Sequence, residues 1–445
     1  MTKLIDQALE RATDTKAIVT GRGVVDRTGD VFTSTFGDAA CILVADENTW
    51  AAAGEQVKAS LEAAGVKLLE PYIFPGTPTL YAGYENVEKL REHLKGVDAI
   101  ACSIAAGTLN DITKLASGEL GRGYMNVCTA ASMDGYAAYG ASITRDGFKI
   151  TRNCPAPAAL VADLDIMAAA PKRLTAIGYG DLIEKIPAGA DWLVADELGS
   201  EAVRENVWDL VQPPLMDALN DPEGLAAGDP ESGLAMQAMQ SSRPASGAGH
   251  NFSHQWEMEG HGLNWEPPLS HGNKVGLGTV ASSAVYDLLA DLDVASVDPA
   301  KRAAEWLTPE QNDERVAALQ PIPAIRDAAL AQSRDKYVPV AQAAARVQLI
   351  KDHWATVLER VAPQVVPASE IADMLRRVGA PYHPVQIDID QAKLRKTYYQ
   401  SQTIRSRYTI MDALFELGLL DEVVDKLFAP GGYWAEAPVP TEGFI

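Results

Sequence analysis

Residues 99–117 read AIACSIAAGTLNDITKLAS. The first six are apolar or small, and Ala105, Ala106 and Gly107 then lead into a stretch with the pattern of a helix N-terminus. A short continuous apolar run that turns directly into a helix is what a strand buried on both faces of a parallel sheet looks like. The same unit recurs on either side. Residues 40–45 (ACILVA) form another apolar run, closed by Asp46, and residues 50–64 (WAAAGEQVKASLEAA) continue as a helix for which Gly65 is a C-terminal cap. Residues 67–74 (KLLEPYIF) predict a further strand, 87–94 (VEKLREHL) a helix, and 124–128 (YMNVC) a fourth strand. Strands and helices alternating at this spacing specify an α/β fold with a parallel sheet.

After residue 165 the strand signal vanishes. The rest is rich in Ala, Leu and Glu with helical periodicity, as in 338–360 and 370–378, interrupted by loop-like stretches at 221–232 and 265–272. A chain of 445 residues exceeds what one hydrophobic core organises. The expected architecture is an α/β domain over residues 1–166, followed by a larger all-helical domain over 167–445. In such proteins a ligand lies in the cleft between domains, outside the carboxyl ends of the strands.

The balance of 38 Lys and Arg against 60 Asp and Glu gives a net charge of −22. A surface this acidic repels phosphate backbones and anionic lipid, which argues against nucleic-acid and membrane partners. It equally serves to keep a large protein soluble. Cys41, Cys102, Cys128 and Cys154 lie in strand-like segments without CxxC spacing, so they read as buried thiols of a reducing compartment. The charged N-terminal stretch has no secretory pattern and no apolar run reaches a membrane span, so the expected location is cytoplasmic.

Four of the seven histidines, His250, His254, His261 and His271, fall within 22 residues. His250 and His254 are one helical turn apart in 246–258 (SGAGHNFSHQWEM), a spacing that directs two imidazoles to a common site. His271 precedes a helical run. These residues alone fit either a metal centre or a set of hydrogen-bonded histidines. A three-ligand metal usually adds a carboxylate to two imidazoles. The best candidate is Asp181 in 178–185 (GYGDLIEK), which otherwise reads as the cap of a helix. The turn at Gly107 offers helix N-terminal N–H groups to a pyrophosphate, but it contains one glycine and no GxGxxG, so a plain strand–helix turn fits as well. Asp46 stands where a ribose-binding carboxylate is expected, or is a solvated strand end.

Together these segments resemble the sn-glycerol-1-phosphate dehydrogenases, bacterial branch, within the dehydroquinate synthase-like group that includes glycerol dehydrogenase and iron-containing alcohol dehydrogenases. The resemblance is carried by 44–50 (VADENTW), 107–111 (GTLND), 129–136 (TAASMDGY), 155–165 (PAPAALVADLD) and 178–181 (GYGD). It continues in 242–247 (SRPASG), 250–258 (HNFSHQWEM), 271–279 (HGNKVGLGT) and 404–409 (IRSRYT). The resemblance implies a Rossmann-like first domain. It implies that Asp181, His250 and His271 hold one divalent metal, zinc or nickel, and that Asp134 and His254 contact substrate with Asp181 beside them. Gly107, Thr108, Leu109, Asn110, Asp111, Thr129, Ser132 and Asp46 would line a site for NAD or NADP. The implied reaction is reduction of dihydroxyacetone phosphate, or a related phosphorylated ketone, to sn-glycerol 1-phosphate by a homodimer. Arg405, Arg407, Lys185 and Lys274 are candidate phosphate ligands, or ordinary solvated charges.

The chain departs from the family pattern in several places. Ser103, Ile104, Ala105 and Ala106 replace a glycine-rich approach to Gly107, and each added Cβ narrows the path of backbone to a pyrophosphate. Ala138 stands where a serine is expected. Glu184 and Pro187 follow Asp181, Gly249 replaces a glutamate before His250, and Asn273 replaces another after His271. An alternative reading is therefore a relative that keeps the metal but has changed substrate or lost redox chemistry, such as a phosphosugar lyase or cyclase. A further alternative is a non-catalytic homologue.

Overall fold

The computed structural model describes residues 5–6, 9–10, 12–145, 148–220 and 243–444. Strands β1 (Ala17–Gly21), β2 (Cys41–Asp46), β3 (Tyr72–Phe74), β4 (Ile100–Ala105), β5 (Tyr124–Cys128) and β8 (Ala159–Asp163) form one sheet. Its order is β1-β8-β5-β4-β2-β3, and every pairing is parallel. β6 (Ala141–Arg145) and β7 (Phe148–Arg152) make a separate antiparallel pair.

The sheet is buried on both faces, which is why its strands read as unbroken apolar runs rather than alternating ones. On one face Ile42, Val44, Ala101, Ala105 and Tyr124 pack against Val87, Leu90 and Leu94 of helix α3 (Tyr84–Lys95) and Leu109, Ile112 and Leu115 of α4 (Gly107–Glu119). On the other, Leu43, Ala45, Cys102, Ile104, Val127 and Val161 meet Val31 and Phe32 of α1 (Thr28–Phe36) and Val57 and Leu61 of α2 (Glu55–Ala63).

The quoted stretch 99–117 is β4 running into α4. The strand expected over 67–74 is confined to Tyr72–Phe74; ahead of it only two backbone bonds tie residues 67–69 to Cys41. Pro71 has no N–H for the ladder, so pairing cannot run through it. β1, β6, β7 and β8 were not anticipated from the sequence. β1 is half-buried throughout and β8 only five residues long, so neither gives a strong apolar signal. The loop expected at 221–232 lies outside the described residues.

The chain forms two compact units. One comprises Met1–Leu182, Asn206–Pro244 and Gly262–Gly272; the other Ile183–Glu205, Ala245–His261 and Asn273–Ile445. The first holds the sheet and helix α5 (Lys172–Leu182). The second contains α6 (Lys185–Glu197) and α7 (Ala248–Met258). Helix α8 (His271–Tyr286) is followed later by α9 (Gln391–Thr403).

A proline inside a helix normally breaks it, and Pro187 follows Asp181 closely in the chain. It sits in the first turn of α6, where no N–H is required. Lacking that N–H, it cannot bond the carbonyl of Ile183, and the chain breaks into α5 and α6 at Ile183 and Glu184. In the second unit α7 is anchored by aromatic residues. Phe252 and Tyr398 meet edge to face with centroids 4.8 Å apart, and Trp256 Nε1 donates to Thr397 Oγ1 at 3.0 Å. Among the described residues, no helix is long and apolar enough to cross a membrane.

Candidate functional site

Asp181 stands in the last turn of α5, so it is not the N-terminal cap of a helix. The glycines before it lie inside that helix. A Cβ on Gly178 would fall 2.0 Å from the carbonyl oxygen of Ala131, which shows that α5 packs against this loop at backbone distance. The loop continues to Asp134, whose N–H donates to Asp181 Oδ2 at 3.4 Å. A second contact of this kind fixes the start of α8: a Cβ on Gly272 would lie 1.9 Å from the carbonyl oxygen of Ile177 in α5. His271, the first residue of α8, is thereby held with Nε2 3.8 Å from Asp181 Oδ1.

His250 and His254 lie one turn apart on α7, with ring centroids 5.9 Å apart. Asp181, His250 and His271 each offer one ligand atom, and the three atoms lie within 4.8 Å of one another. Asp181 and His250 are buried and His271 is half-buried. One carboxylate and two imidazoles form a donor set suited to zinc, nickel or iron, with coordination positions left for a substrate.

The remaining histidines are differently employed. His254 Nε2 lies 2.8 Å from Arg405 Nη2. A guanidinium only donates, so Nε2 accepts and the ring proton belongs on Nδ1, which faces Glu257 Oε2 at 3.3 Å. Glu257 was missed in the sequence, although its i, i+3 position relative to His254 on a helix was a usable signal. His261 is tied down elsewhere, with Nε2 2.5 Å from the carbonyl of Ile387 and Nδ1 3.2 Å from Lys393 Nζ. Burial holds its pKa below the ordinary value.

None of the four candidate phosphate ligands is an ordinary solvated charge. Lys185 and Lys274 are buried, Arg405 is half-buried with Nη2 2.8 Å from His254 Nε2, and Arg407 Nη1 donates to the carbonyl of Ser246 at 2.6 Å. Desolvation pulls the Arg405 pKa down, opposed by the charge of Glu257.

The segments expected to line a nucleotide site lie at the carboxyl ends of adjacent strands. From β2 the chain moves outward to β3, then returns to β4 and proceeds the other way through β5 to β8, so the crevice at β2 and β4 is the topological switch point. Asp46 ends β2, where Oδ1 accepts the N–H of Thr49 at 2.8 Å in a capping box, so it is a helix cap rather than a free strand end. Gly107 opens α4, whose first turn receives no side-chain cap from Ala106. Uncapped N–H groups at a helix start suit an anion. The N–H of Gly107 itself donates to Ser132 Oγ at 3.1 Å, bringing those two residues together. Thr108 is half-buried and Thr129 buried. Leu109, Asn110 and Asp111 turn inward: Asn110 Oδ1 accepts from Tyr124 Oη at 2.9 Å, and Asp111 Oδ2 from the N–H of Ser142 at 3.0 Å.

Residues 19–171 match the family model described as iron-containing alcohol dehydrogenase. The chain is 35% identical over 256 residues to a glycerol-1-phosphate dehydrogenase (NAD(P)+) of Halalkalibacterium halodurans, covering 55% of this chain and 64% of that protein. It therefore spans a little under two thirds of that relative's length. It is 32% identical over 278 residues to the enzyme of the same name from Bacillus subtilis, covering 59% of this chain and 70% of that one. Among solved structures, a probable glycerol dehydrogenase from Sinorhizobium meliloti 1021 shares the fold with a TM-score of 0.54 at 14% identity, over 92% of this chain and 97% of that one. A sheet with the expected switch point, a carboxylate set beside two imidazoles and these matches lead to one assignment: the chain belongs to the glycerol-1-phosphate dehydrogenase family.

Proposed function

We propose that the protein is a metal-dependent, NAD(P)-linked dehydrogenase that reduces dihydroxyacetone phosphate, or a related phosphorylated ketone, to sn-glycerol 1-phosphate. The observation that carries this reading is the convergence of Asp181, His250 and His271 within 4.8 Å, in a chain of this family. These three residues would hold a divalent cation, zinc or nickel, whose Lewis acidity favours negative charge on a ketone oxygen. A nicotinamide bound by the β2 and β4 ends, with Asp46, Gly107, Thr108, Thr129 and Ser132 nearest, would supply the hydride.

The chain's own residues then orient and exclude. Asp134, bonded through its N–H to Asp181, is placed to hold a substrate hydroxyl. His254 is fixed by Arg405 and faces Glu257 through Nδ1; once Arg405 turns to the substrate phosphate, the released Nε2 takes a proton from solvent and passes it to the nascent alkoxide, while Glu257 steadies the charged ring. The four cysteines are free and buried, which accords with a reducing cytoplasm. A homodimer belongs to the same reading.

The decisive experiment is titration of the purified protein with NADH and NADPH, followed by nucleotide fluorescence with and without added zinc or nickel. Binding of either nucleotide, followed by metal-dependent oxidation of NAD(P)H by dihydroxyacetone phosphate, supports the reading. Failure of both nucleotides to bind removes it. One observation favours a second reading, a relative without redox chemistry: Met133 Sδ lies 2.8 Å from where a Gly107 Cβ would be, so a side chain crowds the turn a pyrophosphate would approach. Metal binding without nucleotide binding would select it.

A further inference from the structure

Glu184 is fully buried, in the break between α5 and α6. A carboxylate taken wholly out of water needs several partners to stay ionised. Glu184 has them at one place, the start of α7. Oε1 accepts the N–H of Gly247 at 3.0 Å and that of His250 at 3.3 Å; Oε2 lies 3.3 Å from the Gly247 nitrogen and 3.1 Å from His250 Nδ1. The carboxylate thus sits at the positive end of the helix dipole, held by two backbone donors. The carboxylate therefore faces one nitrogen of the His250 ring while resting on the helix that carries the ring.

The neighbouring residues make room for it. A Cβ on Gly249 would lie 2.8 Å from Glu184 Cγ and 3.1 Å from Oε1, and 3.0 Å from the backbone nitrogen of Thr279. Nothing larger than glycine fits at 249 without pushing the carboxylate away from His250. Glu184 and Gly249 thus form a fitted pair.

We propose that Glu184 is a positioning residue for the metal centre. It retains the proton on His250 Nδ1, locks the ring and leaves Nε2 as the lone-pair donor, while placing a second negative charge behind the ligand set. This rests on the reading that Asp181, His250 and His271 bind a divalent cation. A carboxylate behind a ligand histidine raises the basicity of the coordinating nitrogen, and losing such a partner typically weakens metal binding about 10–100-fold.

The test is metal affinity, measured on the purified full chain by competition with a chromophoric chelator for Zn2+ and Co2+, together with the visible spectrum of the Co2+ form. Glu184→Gln should weaken both metals about 10–100-fold and shift the Co2+ bands. Glu184→Asp should recover part of the affinity, and Gly249→Ala should act in the same direction as Glu184→Gln by displacing the carboxylate. Asp191→Asn is the control, because Asp191 Oδ2 accepts the N–H of Ala248 at 2.7 Å at the same helix start. It should lower Tm and leave metal affinity unchanged. If the wild type binds metal and Glu184→Gln matches it in affinity and spectrum, or loses no more affinity than Asp191→Asn, Glu184 is only a helix cap and the proposal is overturned. If the wild type binds neither metal, the underlying metal reading fails and takes this one with it.

Discussion

Where Gly178 of α5 meets the carbonyl oxygen of Ala131, a Cβ would stand 2.0 Å from that oxygen. This contact sets how far the end of α5, and with it Asp181, reaches toward the loop bearing Asp134. Ala in place of Gly within a helix normally gains about 1 kcal/mol of propensity. A 2.0 Å overlap with backbone cannot be relieved by a rotamer change, so the steric term wins. Gly178→Ala should destabilise the protein by about 1–3 kcal/mol in urea denaturation and lower metal affinity as well. Unchanged stability would mean that the loop yields freely.

Removing a ligand should act on the metal before it acts on the fold. Asp181→Asn and His271→Ala should each reduce bound zinc or nickel well below one equivalent by elemental analysis, with far-UV circular dichroism retained. For the wild type, a metal present at 100 times its Kd adds about 2.7 kcal/mol of stability. A chelator should therefore lower Tm in the wild type and leave these two variants unaffected.

Lys114 separates a structural role for the 107–111 segment from a cofactor role. Its buried ammonium donates to the carbonyls of Ala138 and Gly140 at 3.1 Å each and lies 3.4 Å from Asp111 Oδ1. Replacing one partner leaves the other charge buried, at a typical cost of about 3–5 kcal/mol. Lys114→Met and Asp111→Asn should each cause a large loss of stability, and the double variant should lose less than their sum. A change confined to nucleotide KM for Asp111→Asn would instead place that carboxylate at the cofactor.

His261 predicts a pH dependence of stability. Burial, with Lys393 and Lys274 adding to it, holds its folded pKa below the ordinary 6.5, against the opposing carbonyl of Ile387 and Glu259. The unfolded chain therefore takes up a proton first as the pH falls. The contribution is fully present above pH 6.5 and is lost as the pH drops below it toward the folded pKa. Urea midpoints measured between pH 8 and 5 should decline over the acid half of that range, and His261→Gln should flatten the decline.

Much of the fold was legible in the sequence because a sheet covered on both faces forces apolar residues onto every strand position, as in 40–45, 99–104 and 124–128. The half-buried β1 and the five-residue β8 lacked that pressure and went unread, and Pro71 cut short a strand that the apolar pattern of 67–74 suggested. The histidine pair one turn apart on α7 was likewise visible as spacing. That Arg405, 151 positions away from His254, takes its Nε2 was not, because no local pattern records such a partner.

The sequence by itself determined the alternation of strands and helices, the crowding of imidazoles after residue 250 and the candidate carboxylate, since each is a matter of residue type at short spacing. Only the tertiary structure decided that Asp181 closes a helix instead of opening one. It also decided that Gly178 and Gly272 bring Asp181 and His271 together, and that Glu184 lies against His250. The physical reason is the same in each case. Absent side chains at close approaches, and carboxylates buried against distant donors, take their meaning from the atoms around them, and chain order does not specify which atoms those are.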